Sequence, residues 1–304
     1  MKTKKKFSGV IIPAVTPLTA EYRLDVEAVE RIFISFRKSN VSPFILGTTG
    51  EAPSIPASLK LQYLETAARL KQPGDVYYGG ISSNCFDDSV EFAKACVDKG
   101  IDVLVATLPS YYQLTDAQMF KYFESMAHAV TVPLVIYNIP ATTHMSIPLN
   151  IIETLSHHPN IVGVKDSERS DDRLSESLRL WSHRADFSHF IGWAARSAEA
   201  ILNGSDGLVP STGNFYPGLY DSLFKAAMQG NREEALMLQK LSDTLGDIYQ
   251  KGRTLGESLW ALKVVMHISG LCEPYVFPPL QPMQEDEMEK LIHQYNTIKA
   301  ELTI

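Results

Sequence analysis

The run Asn160-Ile161-Val162-Gly163-Val164-Lys165-Asp166-Ser167 closes an apolar, β-branched stretch with a lone ammonium. Such a run reads as a strand buried on both faces, where a charged end has little access to water. An ammonium held in apolar surroundings loses hydration, so its pKa falls and the neutral amine becomes a nucleophile. A ketone would condense with it to a Schiff base. The alternative for Lys165 is a residue just past the strand end, its stem running along apolar surface to water. Three other segments carry groups that imine chemistry needs. Gly47-Thr48-Thr49-Gly50-Glu51 sets two hydroxyls between two glycines. Glycine permits close backbone approach, and free N–H groups in such a turn can hold a carboxylate. An ordinary strand-to-helix turn has the same appearance. Tyrosines stand in Pro109-Ser110-Tyr111-Tyr112 and in Tyr137-Asn138-Ile139-Pro140. A phenol beside a Schiff base can pass protons between water, carbinolamine and a substrate hydroxyl. Aromatic residues at strand ends also serve simply as packing.

These segments need a frame that brings them together. Apolar β-branched runs at 9–14, 43–47, 76–80, 102–106, 133–137, 161–165, 188–192 and 207–210 are predicted strands. Amphipathic stretches at 26–39, 57–70, 87–99, 116–130 and 173–183 are predicted helices between them. Asp25 is a candidate N-cap, as is Thr115 with Gln118 three residues on. Eight strand–helix units predict an α/β fold of the (β/α)8 TIM-barrel type over residues 1–230. A doubly wound open sheet is the alternative, but no Gly-rich fingerprint follows the first strand. Residues 231–304 read as a helical extension packed on the barrel, with helices at 231–249, 257–268 and 286–302. In such barrels the active site lies at the C-terminal ends of the strands, where the lysine, the threonines and the tyrosines all fall.

Composition bounds the partners. Of 304 residues, 45% are hydrophobic and 21% charged, ordinary values for a globular chain with a large core. A formal net charge of −7 argues against nucleic acid and anionic membrane as partners. No apolar stretch approaches the ~18 residues of a membrane span. Lys2, Lys4, Lys5 and Lys6 form the one basic cluster, and without a following apolar segment it reads as a solvated tail. Cys85, Cys96 and Cys272 lack metal-ligand spacing and suit reduced thiols in a cytoplasmic protein. His157 and His158, adjacent in a predicted loop, do not resemble a metal site.

Taken in order, GTTGE, PSYY, YNIP and GVKDS resemble the motifs of the dihydrodipicolinate synthase / N-acetylneuraminate lyase family of pyruvate-dependent class I aldolases. The separation of Tyr137 and Lys165, 28 residues, matches its pattern, and the resemblance extends from Gly9 through Asn214. The resemblance implies a role for each matching position. Lys165 would form the imine with pyruvate or another 2-oxo acid, with Tyr137 as the proton-transfer phenol. Gly47, Thr48 and Thr49 would hold the substrate carboxylate. Tyr111 would enter a neighbouring subunit's site and complete a Thr48–Tyr111–Tyr137 relay, so the active form would be an oligomer, a homotetramer built as a dimer of dimers. The protonated imine is the electron sink, so no metal and no separate cofactor would be required.

Specificity falls outside the shared set. True dihydrodipicolinate synthases carry an arginine where this chain has Thr142, and threonine cannot supply a bidentate charged fork. Sialic acid lyases carry carboxylates where this chain has Gly192-Trp193-Ala194-Ala195, although they share the Ser211-Thr212 pair. Ser167, in the Lys-Asp-Ser form, is similar to sugar-acid aldolases. Thr142, Ser167, Gly192, Trp193 and Ser211 are therefore the candidate substrate-binding positions. His144 is either a specificity residue or a solvated loop residue. Arg169 and Arg196 either neutralise a second carboxylate or lie on the surface. The expectation is a lyase that reversibly cleaves a 2-keto-3-deoxy sugar acid or similar 2-oxo acid to pyruvate and an aldehyde. The alternatives are activity of either namesake enzyme, a Schiff-base dehydratase or deaminase, a metal-dependent aldolase, and a non-catalytic barrel that binds a 2-oxo acid.

Overall fold

A computed structural model describes residues 5–302. Eight parallel strands, β1 (Gly9–Pro13), β2 (Ser42–Ile45), β3 (Tyr78–Gly80), β4 (Val103–Ala106), β5 (Leu134–Asn138), β6 (Ile161–Asp166), β7 (Ser188–Ile191) and β8 (Gly207–Leu208), close into a barrel in sequence order. It is a TIM barrel, and closure of β8 onto β1 excludes the open doubly wound sheet. The strands are apolar throughout because both faces are covered. Phe44, Tyr78, Val105, Val135, Tyr137 and Phe190 pack in one interior cluster, while Ile12, Ile45, Leu104, Ile136 and Val164 pack outward under the helices.

The helices between strands are α1 (Val26–Lys38), α2 (Ala57–Leu70), α3 (Phe86–Asp98), α4 (Asp116–Ala129), α5 (Pro140–Thr143), α6 (Leu149–Leu155), α7 (Asp171–Trp181) and α8 (Ser197–Leu202). After β8 come α9 (Pro217–Met228), α10 (Arg232–Gln250), α11 (Leu255–Ile268) and α12 (Glu285–Leu302). Asp25 caps α1 by accepting from the Ala28 amide at 2.9 Å, and Thr115 with Gln118 forms a capping box on α4. α10 packs on α8 and α9, and α11 lies against α10 and α12. No helix among the described residues is long and apolar enough to cross a membrane.

Several expectations are corrected. β3 starts two residues later than predicted, because the Tyr77 amide is taken by the Asp102 carboxylate at 2.7 Å. α7 starts at Asp171 because Ser170 caps it through the Arg173 amide. β8 ends at Leu208, and beyond Pro210 the chain turns into a 3-10 segment, Ser211–Asn214. The basic cluster is not wholly a solvated tail. Lys5 is buried and donates to the carbonyls of Trp181 and Phe187 and to Asp206. Lys6 is exposed, and Lys2 and Lys4 lie outside the described residues.

Candidate active site

Lys165 and Tyr137 are partners in the β5–β6 ladder, so the strand register alone sets the two side chains next to one another. A bulge at Leu134/Val135 adjusts that register near the start of β5. Both residues face the interior. The Lys165 Nζ lies 3.8 Å from the centre of the Tyr137 ring and 5.1 Å from that of Phe44. Lys165 is only 6% exposed. Among the described residues two other lysines are also buried, Lys5 and Lys263, and each is paired with a carboxylate and backbone carbonyls. Lys165 pairs with no carboxylate among the described residues. Its neighbours are the ring faces of Phe44 and Tyr137.

The Tyr137 hydroxyl carries competing influences. Burial pushes its pKa up, but the Lys165 ammonium and hydrogen bonding with Lys165, Thr48 and Ser167 pull it down further. The net direction is below the ordinary phenol. A phenol biased toward its ionised form beside an amine is equipped to accept a proton.

After β2 the chain folds tightly through Gly47-Thr48-Thr49-Gly50. Leu46 and Glu51 bracket this turn, both in the left-handed region at φ +56° and +58°. A Cβ on Gly47 would meet the Phe44 ring at 2.8 Å, so the ring under Lys165 and the turn can be neighbours only with glycine there. The Glu51 amide donates to the Thr48 carbonyl and the Ala52 amide to that of Gly47. Among the described residues, the Thr48 and Thr49 amides have no protein acceptor, which suits a carboxylate cradle. A cavity of about 480 Å³ joins Gly47, Thr48 and Tyr137 to Thr142 and Thr143. Thr107, just past β4, also lines it, as does Lys60 on α2, whose ammonium burial shifts downward in pKa. Neither was singled out from sequence. A lone hydroxyl directly after an apolar strand is the signal that could have found Thr107, whereas nothing in the helical pattern of α2 marks Lys60.

A polar layer fixes the strand ends. Strand alternation turns Asp166 away from the interior, toward α7. There Asp166 accepts from Arg173 Nε at 2.6 Å, from Asn138 Nδ2 at 2.9 Å and from the Glu168 amide. Asn138, fully buried, also accepts from the Ile147 amide, and Ser146 donates to Glu168. The residue after Tyr137 and the residue after Lys165 are thus bonded to each other. Ser167 continues from this point, its amide on the Asn138 carbonyl, and Gly192 sits so close that a Cβ there would meet Ser167 Oγ at 2.1 Å.

The remaining sequence candidates divide. Trp193 lies under the Arg196 guanidinium at 4.8 Å, and Arg196 makes a two-pronged pair with Asp171. Arg196 is therefore engaged in fixing Trp193, while Arg169 is exposed. Ser211 is tied to the Tyr249 hydroxyl of α10 at 2.7 Å. His144 is exposed in the left-handed position that ends α5. Tyr111 does not reach Lys165 within this chain. It is 77% exposed and stacked edge-on against Tyr112.

A model of the dihydrodipicolinate synthetase family matches residues 6–298. A probable 2-dehydro-3-deoxy-D-pentonate aldolase of Escherichia coli is 28% identical over 94% of this chain and 96% of its own length. An uncharacterized DapA-like lyase of Pyrococcus abyssi is 30% identical over 89% of this chain and 91% of its own. Among solved structures, dihydrodipicolinate synthase of Bacteroides thetaiotaomicron is similar at a TM-score of 0.91. That likeness spans 97% of this chain and all of the other, with 28% identity.

Proposed function

The chain belongs to the dihydrodipicolinate synthetase family and is a lyase, and from that footing we propose that it cleaves a 2-oxo acid to pyruvate and an aldehyde through an imine on Lys165. The observation that carries the reading is the setting of Lys165. Of the three buried lysines among the described residues, it is the one without a carboxylate there, and it lies over the ring of a phenol whose pKa is shifted down.

The amine attacks the C2 carbonyl and water leaves, giving a protonated imine. Tyr137 takes the proton from the C4 hydroxyl, the C3–C4 bond breaks, and its electron pair enters the imine to form an enamine. The aldehyde departs, C3 is protonated, and water returns pyruvate and the free amine. Gly47, Thr48 and Thr49 hold the carboxylate through backbone N–H groups and hydroxyls. Thr142 and Ser167 supply neutral hydrogen bonds to the aldehyde portion, and Gly192 and Trp193 bound its far side. Ser211, hydrogen-bonded to Tyr249, completes the substrate-binding set. Thr142 supports a hydroxylated partner, a 2-keto-3-deoxy sugar acid, over the lysine-pathway aldehyde, because a neutral hydroxyl lacks an arginine's fork for a second carboxylate. The name carried by the Escherichia coli relative points the same way. Tyr111 completes the relay from a second copy of the chain, in a homotetramer. Its exposure supports that role, since a phenol left in water would be covered by a partner.

Borohydride reduction in the presence of pyruvate, read by intact mass, tests the mechanism. A reduced pyruvyl adduct is expected on the wild type and not on Lys165→Ala. Absence of the adduct, with pyruvate binding measured independently, would sink the reading.

A further inference from the structure

Glu51 closes the GTTGE turn, and its carboxylate points away from the barrel interior to meet Lys263 of α11 at 2.5 Å, both side chains fully buried. The Lys263 ammonium also donates to the carbonyls of Thr16 (2.7 Å) and Tyr275 (2.6 Å). The other Glu51 oxygen accepts from the Phe277 amide at 2.7 Å. Thr16 in turn donates its hydroxyl to the Gly50 carbonyl at 2.6 Å. One buried pair thus joins the turn after β2, the loop after β1, α11 and the 275–277 segment.

What this junction holds is strained. Leu46 and Glu51 are both left-handed without being glycine, a conformation that persists only where its surroundings over-determine it. The Thr48 and Thr49 amides lie between those two residues. Their aim at a carboxylate depends on the turn keeping its shape. A buried pair is a poor source of net stability, since desolvation offsets most of its attraction. It is a good geometric lock, because neither charge can leave without exposing the other.

We propose that Glu51 and Lys263 are positioning residues for the carboxylate cradle, through which the C-terminal helices set the affinity for the 2-oxo acid. The inference rests on the Lys165 imine reading and specifies which remote residues tune its first step. Neither side chain touches substrate. They act through the backbone of Thr48 and Thr49.

The test compares borohydride trapping of pyruvate with trapping of methyl pyruvate, the same ketone without the carboxylate charge. Three variants are used: Glu51→Gln, Lys263→Met and the double variant. Glu51→Gln keeps an acceptor for the Phe277 amide and is expected to fold even if Lys263→Met, which strands a buried carboxylate, does not. In the folded variants, trapping of sub-saturating pyruvate is expected to fall roughly ten- to a hundred-fold, as for a cradle displaced by a fraction of an ångström. Methyl pyruvate should change by less than about two-fold, because it does not draw on the cradle's charge recognition. The double variant removes both charges, so it should regain a cooperative melt while keeping the pyruvate-specific loss. Equal losses on both ketones, or wild-type trapping of pyruvate in any folded variant, would overturn the proposal. A wild type that forms no adduct at all would remove the imine reading, and this inference with it.

Discussion

Replacing Tyr137 by phenylalanine removes one oxygen and leaves the ring beneath Lys165 in place, with its centre 3.8 Å from Nζ. The fold should barely notice. The hydroxyl gives up its polar interactions with Lys165, Thr48 and Ser167, but the variant is also relieved of burying a polar group. The net loss of such bonding is about 1 kcal/mol. Catalysis should notice far more. A positioned proton-transfer group contributes about 10²- to 10⁴-fold, which is roughly 3–5 kcal/mol of barrier. Cleavage can be followed as pyruvate release coupled to lactate dehydrogenase, beside urea unfolding and imine trapping on the same preparation. The pH profile adds a second readout. Burial raises the Tyr137 pKa, while the Lys165 charge and the three hydrogen-bonding neighbours lower it further, so the phenolate forms below the ordinary range. The acid limb of wild-type kcat is therefore expected below about pH 10, and it should be missing from the variant. A kcat within about three-fold of wild type, with trapping intact, would refute Tyr137 as the proton carrier.

Other perturbations separate parts of the site. Gly47→Ala sets a methyl 2.8 Å from the Phe44 ring; such overpacking costs about 1–3 kcal/mol. It should raise the pyruvate KM, and an unchanged KM would show that the turn and the ring are not in contact. Arg173→Met leaves the buried Asp166 carboxylate without its 2.6 Å partner. Removal of one member of a buried pair costs about 3–5 kcal/mol, so the urea midpoint should fall, and an unmoved midpoint would deny the pair its bracing role. His189 is buried, and its pKa is depressed to about 4, chiefly by burial. A depressed histidine contributes stability above its unfolded pKa of about 6.5, and that contribution is lost as pH falls through 4, about 3 kcal/mol in all. His189→Gln should flatten the unfolding free energy between those pH values, and an unchanged slope would disprove the assignment.

Much of the fold is legible in the chain because strands covered on both faces must be apolar along their whole length. Eight such runs alternating with amphipathic stretches leave few arrangements open. The short helices α5 and α6 are harder to see, since four and seven residues are too few to establish a period, and only Pro140 and Pro148 mark their starts. Lys5 and Lys263 are harder still. An exposed and a buried lysine look alike in sequence, and the carboxylates that hold these two, Asp206 and Glu51, are 201 and over 200 residues away along the chain. The same blindness applies to Lys60.

By itself the sequence determines the class of barrel, the family, and which residue types stand at the strand ends, because these follow from local periodicity and short motifs. Tertiary structure decides which of those residues meet. The β5–β6 register sets Tyr137 beside Lys165, and closure brings β8 onto β1. The C-terminal helices reach back to the turn after β2 through one buried pair. Such contacts join positions far apart in the chain, and their energy depends on burial and angle, quantities that no neighbouring residue encodes.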